Sequence, residues 1–228
     1  IAEDGRVLIP LDDAAAGAPS HSIHLKPLAE DALSLPVRTG KARVIGIEPA
    51  SLVTKSLVRE VKTDDAGCFQ SALNPGLTKI AVIERHKRTG KLGIGILEGY
   101  GLTGGAIATT ISHDSHNIVV AGDNDPDMLL AVRELADMGG GIVSVHGGAI
   151  RRLPLPIAGL MTSADPQEVN AVLHDMLVAA RAELGIPEDV EPFMTLSFMA
   201  LPVIPELKLT ARGLFNVNTF SFVGVEAD

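Results

Sequence analysis

Runs of apolar residues broken by short polar stretches dominate the chain from residue 42 onward. A β-rich run covers Ala42 to Ile47, and a second covers Leu57 to Val61 before a turn rich in Asp and Gly at residues 64–67. Ile80-Ala-Val-Ile83 and Leu92-Gly-Ile-Gly-Ile-Leu97 read as strands joined at Gly90-Lys91. Ile107-Ala-Thr-Thr-Ile111 and Ile118-Val-Val120 are two further strand-like segments. Ile142–Val145 and Ala149–Leu153 flank His146-Gly147-Gly148, a hairpin signature.

Helical spacing occurs twice. Asp125-Pro126 predicts a helix start, with Asp as cap and Pro at the first helical position, and Met128, Leu129, Val132, Leu135 and Ala136 then recur on one face. Gly139-Gly140-Gly141 ends it. The second helix is expected to start at Ser163 or Asp165-Pro166 and to bury Val169, Val172, Leu173, Met176, Leu177 and Leu184, with His174 on its surface. Gly185-Ile-Pro187 stops it. Strands and helices interleave, with several adjacent strand pairs, which predicts an α/β or α+β fold on a mixed β-sheet with flanking helices.

The start of the chain reads differently. Ala-Glu-Asp-Gly-Arg-Val-Leu-Ile (residues 2–9) is expected to form strand, turn and strand. An isolated hairpin is marginal, so further strands are expected upstream. Residues 12–22 are small and polar and read as a linker. The division expected is 1–22, the end of a β-segment with its linker, and 23–228, the main domain.

Composition narrows the function classes. With 228 residues, 46% of them hydrophobic and 21% charged, the chain can bury a substantial core. A net charge of −9 argues against nucleic acid or an anionic membrane as the main partner. The single cysteine, Cys68, excludes an internal disulfide and fits a reducing compartment. No apolar run reaches the roughly 18–20 residues of a membrane span. A cytoplasmic protein is the expectation.

The candidate chemistry sits in polar residues squeezed between apolar runs. Ser112-His113-Asp114-Ser115-His116-Asn117 packs two of seven histidines around an acid, a placement that is costly unless something pairs with it. Extended, the segment would divide His113 and Ser115 from Asp114 and His116. Turned, it would let both histidines converge with Asp114. Imidazole and carboxylate could then shuttle protons, read a heterocycle by hydrogen bonds or ligate a metal, while a loop with an Asx-turn remains the plain alternative. Glu84-Arg85-His86 ends the Ile80–Ile83 strand, where a solvated turn competes with a site. The glycines of Leu97-Glu-Gly-Tyr-Gly-Leu-Thr-Gly-Gly105, with Gly93 and Gly95, read as tight turns and not a phosphate loop. There is no His-x-His pair and no Gly-x-Ser-x-Gly elbow.

Several of these segments together resemble the C-terminal region of the bacterial adenine deaminase family, in the amidohydrolase superfamily. The likeness runs through Glu84-Arg85-His86, Gly90-Lys-Leu-Gly-Ile-Gly95, Gly99-Tyr-Gly-Leu102 and Gly104 to Asn117. It continues through Asn124-Asp-Pro-Asp-Met128, Gly139-Gly-Gly141, Leu153-Pro-Leu-Pro-Ile-Ala-Gly-Leu-Met161 and Leu201-Pro-Val-Ile-Pro-Glu-Leu-Lys-Leu-Thr210, covering about residues 24–228. The resemblance implies hydrolytic deamination of adenine to hypoxanthine with release of ammonia, a step in purine salvage. A metal-activated water attacks C6 of the purine. The divalent metal, manganese or iron, would be held mainly by a barrel that contains a His-x-His pair and is absent here.

Residues 1–11 then resemble the tail of the small β-sandwich that flanks the barrel. The expected partners are adenine, the barrel of the same enzyme and further copies of the chain. Within the chain, His113, Asp114 and His116 are expected in a supporting catalytic role, with Glu84, His86, Ser112 and Asn117 as substrate contacts. His86, His113, Asp114 and His116 are the candidates for an accessory metal ion. A non-catalytic purine-binding or structural domain is the alternative.

Overall fold

The computed structural model describes residues 2–4, 6–8 and 21–227. Residues 12–20 of the expected linker lie outside the described residues. The opening segment forms the expected pair, β1 (Ala2–Glu3) against β2 (Arg6–Val7). The main sheet has eight strands: β3 (Lys41–Ile47), β4 (Thr54–Glu60), β5 (Leu77–Ile83), β6 (Leu92–Glu98), β7 (Gly105–Thr109), β8 (Ile118–Gly122), β9 (Gly141–His146) and β10 (Ala149–Pro154). Their order is β10-β9-β7-β8-β5-β6-β3-β4, and only the β3–β6 pair is parallel. The predicted mixed sheet with flanking helices is therefore the architecture found.

The apolar runs have a direct explanation. Ile80, Val82, Ile107, Val119 and Ala121 point into one core, while Ala81, Ile83, Ala108, Ile118 and Val120 point into another. Strands covered on both faces lose the polar half of the alternation and read as continuous apolar segments. On one face lies α1 (Asp125–Asp137), through Met128, Leu129, Val132 and Leu135. On the other lie α2 (Pro166–Ala182), α3 (Pro192–Phe198) and a small sheet of β11 (Leu207–Thr210), β12 (Gly213–Asn216) and β13 (Ser221–Val223). A third cluster, built on Phe69, Val44 and Ile96, fills the β3–β4 end. The core is thus internal to the chain.

Several local expectations shift. Asn124, not Asp125, caps α1: its side chain accepts the Asp127 amide at 2.9 Å. Asp125 is left free to pair with the buried Lys79 ammonium at 2.5 Å. Helix α2 is capped by Asp165 as expected, but it lies at the margin of the sheet. Only Met176 of its expected core residues is fully buried within it; Val169, Leu173 and Leu177 are half-buried and Val172 is exposed, whereas Leu184 is buried beyond the helix end. His174 is exposed as expected. The Gly147-Gly148 loop has φ of 54° and 82°, the conformation of a two-residue hairpin turn.

The glycines divide into two groups. Gly99, Gly101 and Gly104 have positive φ at turns. Gly93 and Gly105 lie within strands where a Cβ would come within 2.0 Å of Thr210 O and 1.9 Å of Val145 O. At these two positions the tight-turn expectation gives way to close packing. Gly93 lets the β11–β12 hairpin rest directly on β6, so Gly93→Ala is expected to cost about 1–3 kcal/mol or more as overpacking, read by chemical denaturation.

Candidate functional site

The two polar motifs meet because of strand register. Ile83 of β5 pairs with Ile118 of β8, so Glu84-Arg85-His86 and His116-Ser115 leave the sheet side by side. His86 Nε2 lies 2.8 Å from the Ser115 carbonyl, which fixes that nitrogen as the donor. The hexapeptide turns instead of staying extended. The His116 amide donates to the Ser112 carbonyl at 2.6 Å, and His116 has φ of 48°. The His113 and His116 rings come to 6.1 Å between centroids, edge to face, and His113 also packs on Phe198 at 4.5 Å. Asp114 and Ser115 are exposed at the tip.

Arg85 organises this end of the molecule. It is 1% exposed, so the solvated-turn reading fails for it. Its Nε donates to the His116 carbonyl, Nη1 to the Ser22 carbonyl and hydroxyl at 3.2 and 3.0 Å, and Nη2 to the Ala158 carbonyl at 2.9 Å. No carboxylate is among these acceptors. Burial pushes the guanidinium pKa down. Nearby, Thr110 Oγ1 donates to the Gly159 carbonyl at 2.5 Å and accepts the Gly141 amide at 2.8 Å. The segments around residues 85, 116, 140 and 158 are thereby tied together.

Glu84 serves its own loop. Its carboxylate accepts from the amides of His86, Lys87 and Thr89 and from the Thr89 hydroxyl, at 2.6 to 3.0 Å. Partial burial raises its pKa, but these four hydrogen bonds outweigh it and bring the group to about 2. The His116 pKa is lowered as well, by burial first and then by the His113 and Arg85 charges, and for an imidazole that favours the neutral form.

Three atoms of the hexapeptide are buried without a partner among the described residues: Ser112 Oγ, His116 Nδ1 and Asn117 Oδ1. Ser112 is fully buried and Asn117 is 9% exposed. Buried polar atoms are normally hydrogen-bonded, so these three are unmet binding capacity. Two hollows adjoin the hexapeptide. One, of about 290 Å³, lies between Asp114, Ser115 and Asn117 on one side and Ala200–Val203 with Thr210 on the other. The second, of about 250 Å³, adjoins His113 and α3.

The resemblance places the metal mainly in the barrel and offers His86, His113, Asp114 and His116 only as candidates for an accessory ion. Among the described residues no three His, Cys, Asp or Glu side chains are grouped to hold an ion. His86 Nε2 is already spent on a carbonyl. The hexapeptide brings His113 and His116 together, with Asp114 exposed at the tip and its charge acting on His116.

Sequence reasoning missed three buried cations: Lys79, which pairs with Asp125, and Arg85 and Lys208. Arg85 was legible only as the middle of a polar triplet. Lys208 is fully buried in β11, donating to the Leu52 carbonyl at 2.8 Å, and burial lowers its pKa to about 8. Its signal was a charge between two leucines of a strand.

Fold and site define an α/β domain with a histidine-bearing polar face and, among the described residues, no metal centre. Residues 51–221 match the family model described as the adenine deaminase C-terminal domain. The chain is 56% identical over 226 residues to an adenine deaminase of Nitratidesulfovibrio vulgaris (strain Hildenborough), covering 99% of this chain and 39% of that protein. It is 45% identical to adenine deaminase 2 of Carboxydothermus hydrogenoformans, again over 99% of this chain and 39% of that protein. With the adenine deaminase of Geobacillus kaustophilus it shares 42%, over 100% and 40% of the two chains. The chain belongs to the adenine deaminase C-terminal domain family, and it spans about 39% of the length of the first two of these relatives.

Two outcomes follow for the site. Arg85→Lys cannot reproduce the forked contacts, and orphaning buried carbonyls is expected to cost about 3 kcal/mol, measured by denaturant unfolding. The Glu84 carboxylate is more acidic folded than unfolded, so its contribution is complete above about pH 4.5 and fades as pH falls toward about 2. Glu84→Gln is expected to flatten that acid limb in a pH series of melting temperatures.

Proposed function

We propose that this chain is the C-terminal part of an enzyme that converts adenine and water to hypoxanthine and ammonia. In this reading residues 1–22 end a β-sandwich segment with its linker, and residues 23–228 are the C-terminal domain. The observation that carries the reading is convergence: four of the segments that resemble the family, at 84–86, 112–117, 153–161 and 201–210, close around Arg85 and the hexapeptide at one end of the sheet. The divalent metal, manganese or iron, is assigned to the barrel outside this chain, since the described residues offer it no seat.

The role left to this face is to meet the barrel and help enclose the purine. Ser112, His116 and Asn117 present buried atoms that lack partners, and a donor or acceptor arriving from the barrel or the substrate would satisfy them. A neutral His116 can give or take a proton through hydrogen bonds, and Asp114 at the exposed tip can reach outward. Glu84 and His86 hold the 84–91 loop against the hexapeptide, so their contribution is to fix its shape. The apolar side chains exposed on the helical side, Val172, Val178, Met194 and Val203, support contact with further copies of the enzyme as well.

The test uses the full-length enzyme. Asp114→Ala and His116→Ala are each expected to lower kcat/KM for adenine about tenfold, a loss of about 1.4 kcal/mol, with the bound metal unchanged. Kinetics equal to the parent in both variants would remove the motif from the reaction.

A further inference from the structure

The hollow beside α3 has the make-up of a small-ligand site. Ile142, Phe193 and Met194 give it apolar walls, and His113, Thr109 and Glu191 bring polar groups to it. Each polar group has capacity to spare. Thr109 is buried, and its Oγ1 accepts the Ile111 amide at 3.0 Å, which leaves its hydroxyl hydrogen free to donate. Glu191 spends Oε2 on the Met194 amide, capping α3, while its second oxygen has no partner among the described residues. Neither ring nitrogen of His113 is engaged by a described residue, and one face of the ring is already covered by Phe198.

Size and chemistry together select the occupant. At about 250 Å³ the space falls below the range of about 300–1,000 Å³ that suits drug-sized ligands. One or two fused rings fit that volume. Apolar and aromatic walls favour a flat ring system. A free carboxylate oxygen asks for an N–H donor, and a free hydroxyl hydrogen asks for a ring-nitrogen acceptor. We propose that this cavity binds a flat, amine-bearing aromatic heterocycle of one or two rings, held between Phe193 and His113 with its amine toward Glu191 and a ring nitrogen toward Thr109. The choice of adenine as the probe rests on the deaminase reading above; the cavity's preference for an amine does not.

Discrimination follows from the same groups. A ring carrying a carbonyl in place of the amine would set an oxygen against the Glu191 carboxylate and leave that carboxylate without its donor.

The test is a titration of the metal-stripped full-length enzyme, so that adenine is not consumed, with Ile and Met methyl groups followed by NMR. Adenine is expected to produce saturable shifts at Ile142 and Met194. Hypoxanthine, lacking the amine, is expected to bind about tenfold more weakly, which corresponds to about 1.4 kcal/mol. Met194 is 55% exposed, so Met194→Trp can fill the mouth without disturbing the core, and it is expected to abolish the shift at Ile142. Thr109→Val is expected to weaken adenine binding several-fold. Absence of saturable shifts at these methyls, or an undiminished response in Met194→Trp, overturns the site. Equal affinity for hypoxanthine overturns the amine assignment. The Asp114 and His116 kinetics probe the other side of the motif, so failure of either test is read separately.

Discussion

A cation buried without an anion sets the terms for one end of this domain. Removing a guanidinium from water is expensive, and Arg85 recovers that cost only through acceptors drawn from separate parts of the chain. Ser22, His116 and Ala158 must all present carbonyl oxygens to it at once. The Arg85 carbonyl in turn accepts the His24 amide at 2.7 Å, so the segment entering the domain is held there as well. Even Gly159 is implicated, since a Cβ at that position would lie 3.0 Å from Nη1. The hexapeptide keeps its turned shape in part because its own backbone is one of these acceptors.

Rigidity and reactivity are then divided between neighbouring side chains. Glu84 and Arg85 are engaged by hydrogen bonds and fix backbone, whereas Ser112, His116 and Asn117, on the adjoining loop, carry atoms unmatched among the described residues. A site built this way has its geometry set before a partner arrives, which lowers the ordering cost of binding. The two hollows on either side of the hexapeptide share that frame: Asn117 borders one and His113 the other.

Much of the fold was legible in the sequence because it depends on local chemistry. Pro126 and Pro166 mark helix starts, Gly147-Gly148 marks a two-residue turn, and the apolar runs mark strands. The slip from Asp125 to Asn124 at the α1 cap arose because both side chains can cap, and a long-range pair with Lys79 decided between them. Helix α3 lacked a clear periodic signal at seven residues, and β11 to β13, at four, four and three residues, are too short for an alternating pattern to stand out. The site was legible as residue types but not as an arrangement. Nothing in Glu84-Arg85-His86 says that the middle residue points inward to a carbonyl at position 158. That follows from strand register and from a loop more than seventy residues away.

The borders of the main sheet carry a consequence for how copies of this domain can meet. At one border β4 displays Lys55 and Arg59, paired with Glu48 and Glu98. At the other, β10 displays Arg151 and Arg152, engaged by Glu183 and Glu134, and ends at Pro154. Charged side chains and a terminal proline make both borders poor templates for strand addition. Growth of the sheet from one molecule into the next is therefore disfavoured, and contacts are steered to the faces, where the helical layer exposes Val172, Val178 and Met194. A domain with such borders can dock against a larger body without risking open-ended polymerisation.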